Sequence, residues 1–147
     1  MLTLTQAGID RLTLDTYDGC EPPVFVYWNL RRACWSLRAM RGHNAGRVIA
    51  HASLLTLAAV APKVSAAGRE RVRRENRKNV HAGLIGVVDL RDSVGMTLDL
   101  PTCDARITYD PYMHDGFVYS DGRPFRAARY AVLQTINNRA RVRVSQE

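Results

Sequence analysis

The sequence predicts an α+β fold, mostly antiparallel β-sheet with one basic surface helix at about 66–79. Three observations predict it. β-Branched and aromatic runs of strand length recur between turn-rich segments. Several runs alternate apolar and polar residues, the period of a strand buried on one face. Only "AAGRERVRRENRKN" (66–79) favours helix throughout, with no Pro and with Gly68 tolerated in the first turn. A chain of 147 residues, 46% hydrophobic, can bury one real core and is not a disordered polypeptide.

Residues 1–22 read as a separate N-terminal arm, in which "LTL" occurs at 2–4 and again at 12–14. Pro22 and Pro23 end it, because neither continues a helix or a central strand. Residues 23–147 read as a single domain. "VFVYWNL" (24–30) has strand chemistry, with Val24, Val26 and Trp28 on one face. "RR" at 31–32 sits in a tight connection, and "CWSLRAM" (34–40) returns with Trp35 and Leu37 on one face. "RGHNAGR" (41–47) is a turn by composition, and "RVIAHASLLTL" (47–57) is a third strand, giving an antiparallel meander. "AAVAPKV" leads to Ser65, an N-cap for the helix. After it, "NVHAGLIGVVDL" (79–90), "SVGMTLDL" (93–100) and "ARITY" (105–109) read as strands. Phe117 to Tyr119 form a short strand between two DG turns, and "RYAVLQT" (129–135) is a further strand. The tail sets Arg139, Arg141 and Arg143 against Ala140, Val142 and Val144, so as a strand it carries a ladder of three guanidinium groups on one face.

The net charge is +7, and 19 of the 21 basic residues are Arg; only Lys63 and Lys78 are Lys. Arg pairs bidentately with phosphate and stacks on bases. Codon drift in a GC-rich genome accounts for Arg over Lys but not for its clustering. On the helix, Arg69, Arg73 and Arg77 share one face, and Arg71, Arg74 and Lys78 form a second basic row. Val72 is nearly the sole large apolar residue, so this helix lies on the surface. Its competing role is a solvated face paired by Glu70 and Glu75. Two acids do not neutralise six bases, and Arg69–Lys78 keeps +4. Phosphate, in nucleic acid or a nucleotide, satisfies that charge through salt-dependent contacts. An acidic protein surface satisfies it equally.

His51 and His81 each lie in a strand flanked by Ala. Two His beside Arg are the parts of a metal-independent ribonuclease, one taking the 2′-hydroxyl proton and the other protonating the leaving oxygen. No spacing argument brings them together, and structural histidines are the simpler expectation. His43 sits in a turn. His114 lies with Asp110 and Asp115 in "DPYMHD", a weak carboxylate–imidazole grouping without recognised metal spacing, so no metal is expected. Tyr109, Tyr112, Phe117 and Tyr119 are candidates for base stacking or for core packing, and Trp28 is a further ring for a nucleotide pocket. Cys20, Cys34 and Cys103 are odd in number and widely spaced, which fits a reducing cytoplasm. The chain contains no GxxxxGK[ST], no GxGxxG after a strand and no GxSxG, so no cofactor is expected. The start "MLTLTQAGID" lacks the features of a signal peptide, and no segment reaches the length of a membrane span.

From Val24 onward the chain resembles a group of short proteins of phages and integrated mobile elements, a group without an assigned chemistry. The resemblance runs over about 24–133. "VYWNLRRACWSLR", "GRVIAHASLLTL", "AGRERVRRENRKNVHAG" and "ITYDPYMHDGFVYSDGRPFRAARYAVL" carry it. It implies a context of conflict with the host: blocking an RNA-guided (CRISPR) effector, sequestering a nucleotide immune signal, or binding phage nucleic acid. The leading expectation is a non-enzymatic accessory protein of the host-cell cytoplasm. It engages a phosphate-rich target through Arg69, Arg71, Arg73, Arg74, Arg77 and Lys78, with the Arg139, Arg141 and Arg143 ladder, and acts by occlusion. The alternatives are a sponge for a small cyclic nucleotide, with its pocket at a homo-oligomer interface, and the His51/His81 ribonuclease.

Overall fold

A computed structural model of the chain describes residues 23–43, 45–76, 79–88 and 103–145. They form nine strands: β1 (Val24–Asn29), β2 (Cys34–Ala39), β3 (Val48–Ala52), β4 (Leu54–Val64), β5 (Ala82–Val88), β6 (Cys103–Thr108), β7 (Val118–Tyr119), β8 (Ala128–Ile136) and β9 (Arg139–Ser145). Between β4 and β5 lies α1 (Ala66–Glu75), the one α-helix among the described residues. The strands make one antiparallel sheet in the order β3-β2-β1-β5-β4-β8-β9-β6-β7. The expected meander is present as β1–β2–β3. The expected strand at 93–100, the arm at 1–22 and the helix residues Arg77 and Lys78 lie outside the described residues.

One face of the sheet is apolar throughout, because the period-2 patterns of successive strands are in register. Val24 and Val26 of β1 sit opposite Ala39 and Leu37 of β2. Leu84 of β5 is opposite Val26, Leu133 of β8 opposite Leu55, and Val142 of β9 opposite both Leu133 and Ile107. These residues form a single cluster, in which Leu37, Leu55, Leu57, Leu84 and Leu133 are fully buried. Each such Leu contributes about 1.5–3 kcal/mol relative to an exposed one.

A sheet with one apolar face must cover that face, and this one does so by curling on itself. β3 pairs with β2 at one edge, while β4 pairs with β5 and β8 in the middle, yet only Ser53 separates β3 from β4. The two ends of the series β3-β2-β1-β5-β4 are therefore one run of chain, and the series closes. The Trp35 indole Nε1–H on β2 donates to the Gln134 carbonyl on β8 across the interior, at 3.1 Å. The strand expected as one piece at 47–57 is divided at Ser53, and its second part, β4, continues through Pro62 to Val64. Ala59 takes a positive φ of 54° at a bulge, after which the register with β5 resumes and Pro62 sits opposite Leu84.

The helix is capped as expected: the Ser65 hydroxyl accepts from Gly68 N–H at 3.1 Å. It ends four residues short of the expected Asn79, because Asn76 turns left-handed (φ 51°) and closes it. Asn137 and Asn138 both have positive φ, 52° and 61°, the pattern of a type I′ turn, and join β8 to β9 with two residues.

Candidate functional site

The ladder foreseen in the tail is built. Val142 and Val144 of β9 face the core, so Arg139, Arg141 and Arg143 project from the opposite face of the sheet. On the neighbouring strand Ile107 faces the core, which places Arg106 of β6 on the same outer face, directly opposite Arg143. Like charges paired across two strands are destabilising, and no carboxylate among the described residues pairs with any of these four. Arg139 and Arg106 are exposed; Arg141 and Arg143 are half-buried. Arg143 Nη2 donates to Gln134 Oε1 of β8 at 3.2 Å. The Nε atoms of Arg141 and Arg143 are buried without a hydrogen-bond partner. An unmet buried donor costs about 1–3 kcal/mol, more on a charged group. Arg106 and Gln134 were missed from the sequence, because their approach to the ladder depends on strand register.

The helix arginines divide into two kinds. Arg69 and Arg73 do share a face, as their spacing requires, but that face meets the 110–115 loop. Arg69 Nε–H donates to the His114 carbonyl at 2.7 Å, and its Nη2 pairs with Asp115 at 2.7 Å. Arg73 Nε–H donates to the Pro111 carbonyl at 2.6 Å. These two guanidinium groups hold a loop 38 to 46 residues away, and only 14% of the Arg69 side chain is exposed. Arg71 and Arg74 are exposed, with no partner among the described residues. Tyr112 clasps the helix end, its hydroxyl donating to Asn76 Oδ1 at 2.6 Å, while half of the residue stays exposed. Met113 beside it is 73% exposed.

The two histidines are kept apart. His51 of β3 lies opposite Ser36 of β2, Ser36 opposite Tyr27 of β1, and β1 pairs with β5, which starts just after His81. The two thus lie at strands three places apart in the sheet order. The rings are also engaged. The Ser36 hydroxyl bonds His51 Nδ1 at 2.9 Å, and Ser36 accepts from Asn29 Nδ2 at 3.1 Å. Burial, and next the charge of Arg32, push the His51 pKa down. His81 bonds the Asn79 carbonyl through Nδ1 and the Tyr109 hydroxyl through Nε2, at 3.1 and 2.8 Å. Burial raises the Tyr109 pKa. The Ser36–His51 contact has the elements of a nucleophile and base, but Ser36 is 0% exposed and reaches no substrate.

Among the proposed rings, Trp28 stands edge-on to Trp35 with centroids 5.3 Å apart, against the core. Tyr109 lies between His81 and Phe117. The groups of "DPYMHD" serve the loop itself: Asp110 Oδ1 accepts from Tyr112 N–H, and Asp115 pairs with Arg69. Burial pushes the thiols of Cys34 and Cys103 upward, opposed at Cys103 by Arg143. A groove of about 470 Å³ runs beside the ladder, lined by Asp104, Arg106, Tyr119, Ser120, Asp121 and Arg123. There the Arg123 guanidinium covers the Tyr119 ring at 4.9 Å and pairs with Asp121 at 2.7 Å. No helix of the described residues is long and apolar enough to cross a membrane.

A model of the family described as Mycobacterium phage L5 gene 82 protein matches residues 19–141. The gene 82 protein of Mycobacterium phage L5 is 38% identical over 127 residues, covering 80% of this chain and 94% of that protein. No solved structure matches.

Proposed function

Because the chain belongs to the phage L5 gene 82 protein family, we propose that it is a phage accessory protein that binds a phosphate-rich target without catalysis. The observation that carries this reading is the ladder. Four arginines stand together on one sheet face, two of them directly opposed, and none forms an ion pair with a carboxylate among the described residues, Asp104 being the acid that shares their face. A surface in that state gains from an anionic ligand, which removes the repulsion and supplies acceptors. Arg71 and Arg74 of α1 offer a second, smaller cationic face. Arg69 and Arg73 are held by the 110–115 loop and contribute less.

The target class that suits the context is nucleic acid, free or held in a host RNA-guided effector, and the action is occlusion. The nucleotide-sponge reading has one observation in its favour, the groove with Tyr119, Arg106 and Arg123. Its two aspartates, Asp104 and Asp121, oppose a dianion there. His51 and His81 bond different partners, Ser36 and Tyr109, which weighs against the ribonuclease reading.

The test begins with protein purified at low salt, its absorbance spectrum, and mass spectrometry of whatever heat releases. Long nucleic acid stripped by about 1 M salt, where screening is nearly complete, supports the ladder. A released small nucleotide moves the site to the groove. The double variant Arg139→Glu/Arg141→Glu should lose nucleic acid while keeping its fold. Full retention by that variant overturns the proposal.

A further inference from the structure

We infer that the outer face of β8, β9 and β6 is a site for single-stranded nucleic acid, its backbone running along β9 with one phosphate at each arginine rung. The inference rests on the phosphate-binding reading and adds strandedness and register.

The charge is one-dimensional. Arg139, Arg141 and Arg143 lie on alternate residues of one strand, and Arg106 stands abreast of Arg143. Alternate residues of a strand repeat at about 6.8 Å, close to the step between successive phosphates of an extended polynucleotide. A single row serves one backbone, whereas a duplex presents two that wind away from a flat face.

The placement of the guanidinium groups points the same way. Arg141 and Arg143 are half-buried with sealed Nε atoms, so their stems lie down on the sheet. Arg143 is tethered to Gln134. A guanidinium lying against a surface offers its plane to an unpaired base and its terminal nitrogens to phosphate. Bases in a duplex are stacked on each other and cannot take that plane. Reading a duplex groove calls for an element that enters it. Of the helix's arginines, Arg69 and Arg73 are turned to the 110–115 loop instead.

The experiment is fluorescence anisotropy of the full chain with labelled 12-mers of thymidine and of uridine, and with a 12-base-pair duplex, over about 50–200 mM salt. Both single strands should bind at least tenfold tighter than the duplex. A preference between the two 12-mers tells DNA from RNA within the same site. The slope of log K against log salt should be near −0.7 per phosphate contact, thus roughly −2 for three rungs. Arg139→Gln and Arg141→Gln should each flatten it by about 0.7, while Arg31→Gln in the β1–β2 turn leaves it unchanged. Arg139 is exposed at the ladder's end, so its variant tests the site without unfolding the chain. Duplex binding equal to or tighter than single-strand binding overturns this inference and leaves the phosphate reading standing. An unchanged slope in both ladder variants places the site elsewhere and also overturns it. Absence of binding to all three probes at the lowest salt sinks the inference and the phosphate reading together.

Discussion

His51 shows at the level of one side chain how a buried polar contact sets a pH response. The Ser36 hydroxyl, which accepts from Asn29, meets His51 Nδ1 beneath the surface. Burial, and next the charge of Arg32, push the His51 pKa down and favour the neutral ring in the fold. The unfolded chain binds its proton near 6.5, so below that value it takes up more protons than the fold. Stability is therefore full above about pH 6.5 and lost as pH falls from there toward the lowered folded value. The expected result is a lower Tm at about pH 5.5 than at about pH 7.5. In His51→Gln that part of the slope should vanish. A second residue works against the fold. Thr135 of β8 carries a buried hydroxyl without a partner. Thr135→Val keeps the shape, removes the unmet group and should raise stability by about 1 kcal/mol in urea unfolding.

Elements here are set by their closest approaches as much as by propensity. A Cβ added at Gly68 would lie 2.6 Å from the Cβ of His81, so the first turn of α1 sits where it does because residue 68 has no side chain. Helix propensity alone favours Gly68→Ala by about 1 kcal/mol. Overpacking costs about 1–3 kcal/mol, and the neighbour is the root of a side chain whose ring is fixed at both nitrogens. The expected outcome is a net loss of stability, read as a lower urea midpoint. The Ser65 cap was legible in the sequence, as were the strand runs with β-branched and aromatic residues and the face shared by Arg69 and Arg73. What that face meets was not, since Pro111 and His114 arrive from about 40 residues away. Arg106 escaped for the same reason. Its alternation with Ile107 shows which side of a strand it occupies, but only strand order shows that Arg143 stands next to it.

For the whole molecule, the decisive feature is the run 48–64, which belongs to both β3 and β4. It pairs with β2 through its first part and with β5 and β8 through its second. Neither part of the sheet can open without disturbing the strand it shares with the other. One cooperative transition is expected. Tryptophan fluorescence, which reports Trp28 and Trp35 in β1 and β2, and far-ultraviolet dichroism should give coincident denaturation curves. Separated midpoints would show that the parts melt independently. No local pattern announced this closure: "RVIAHASLLTL" reads as one strand, and the bend at Ser53 follows from its having two sets of neighbours.

The Asn137–Asn138 turn has a consequence for inheritance as well as for shape. Its two residues set the count by which β9 is laid against β8. A codon change that swaps either Asn for Gly or Asp leaves that count alone and should be tolerated. One added codon slips the strand by a single place, sending three guanidinium groups into the interior and three small apolar side chains out to solvent. In a library of variants at 137 and 138, Gly and Asp substitutions should survive and single-codon insertions should be lost. For this hairpin, length is the heritable message and spelling is secondary.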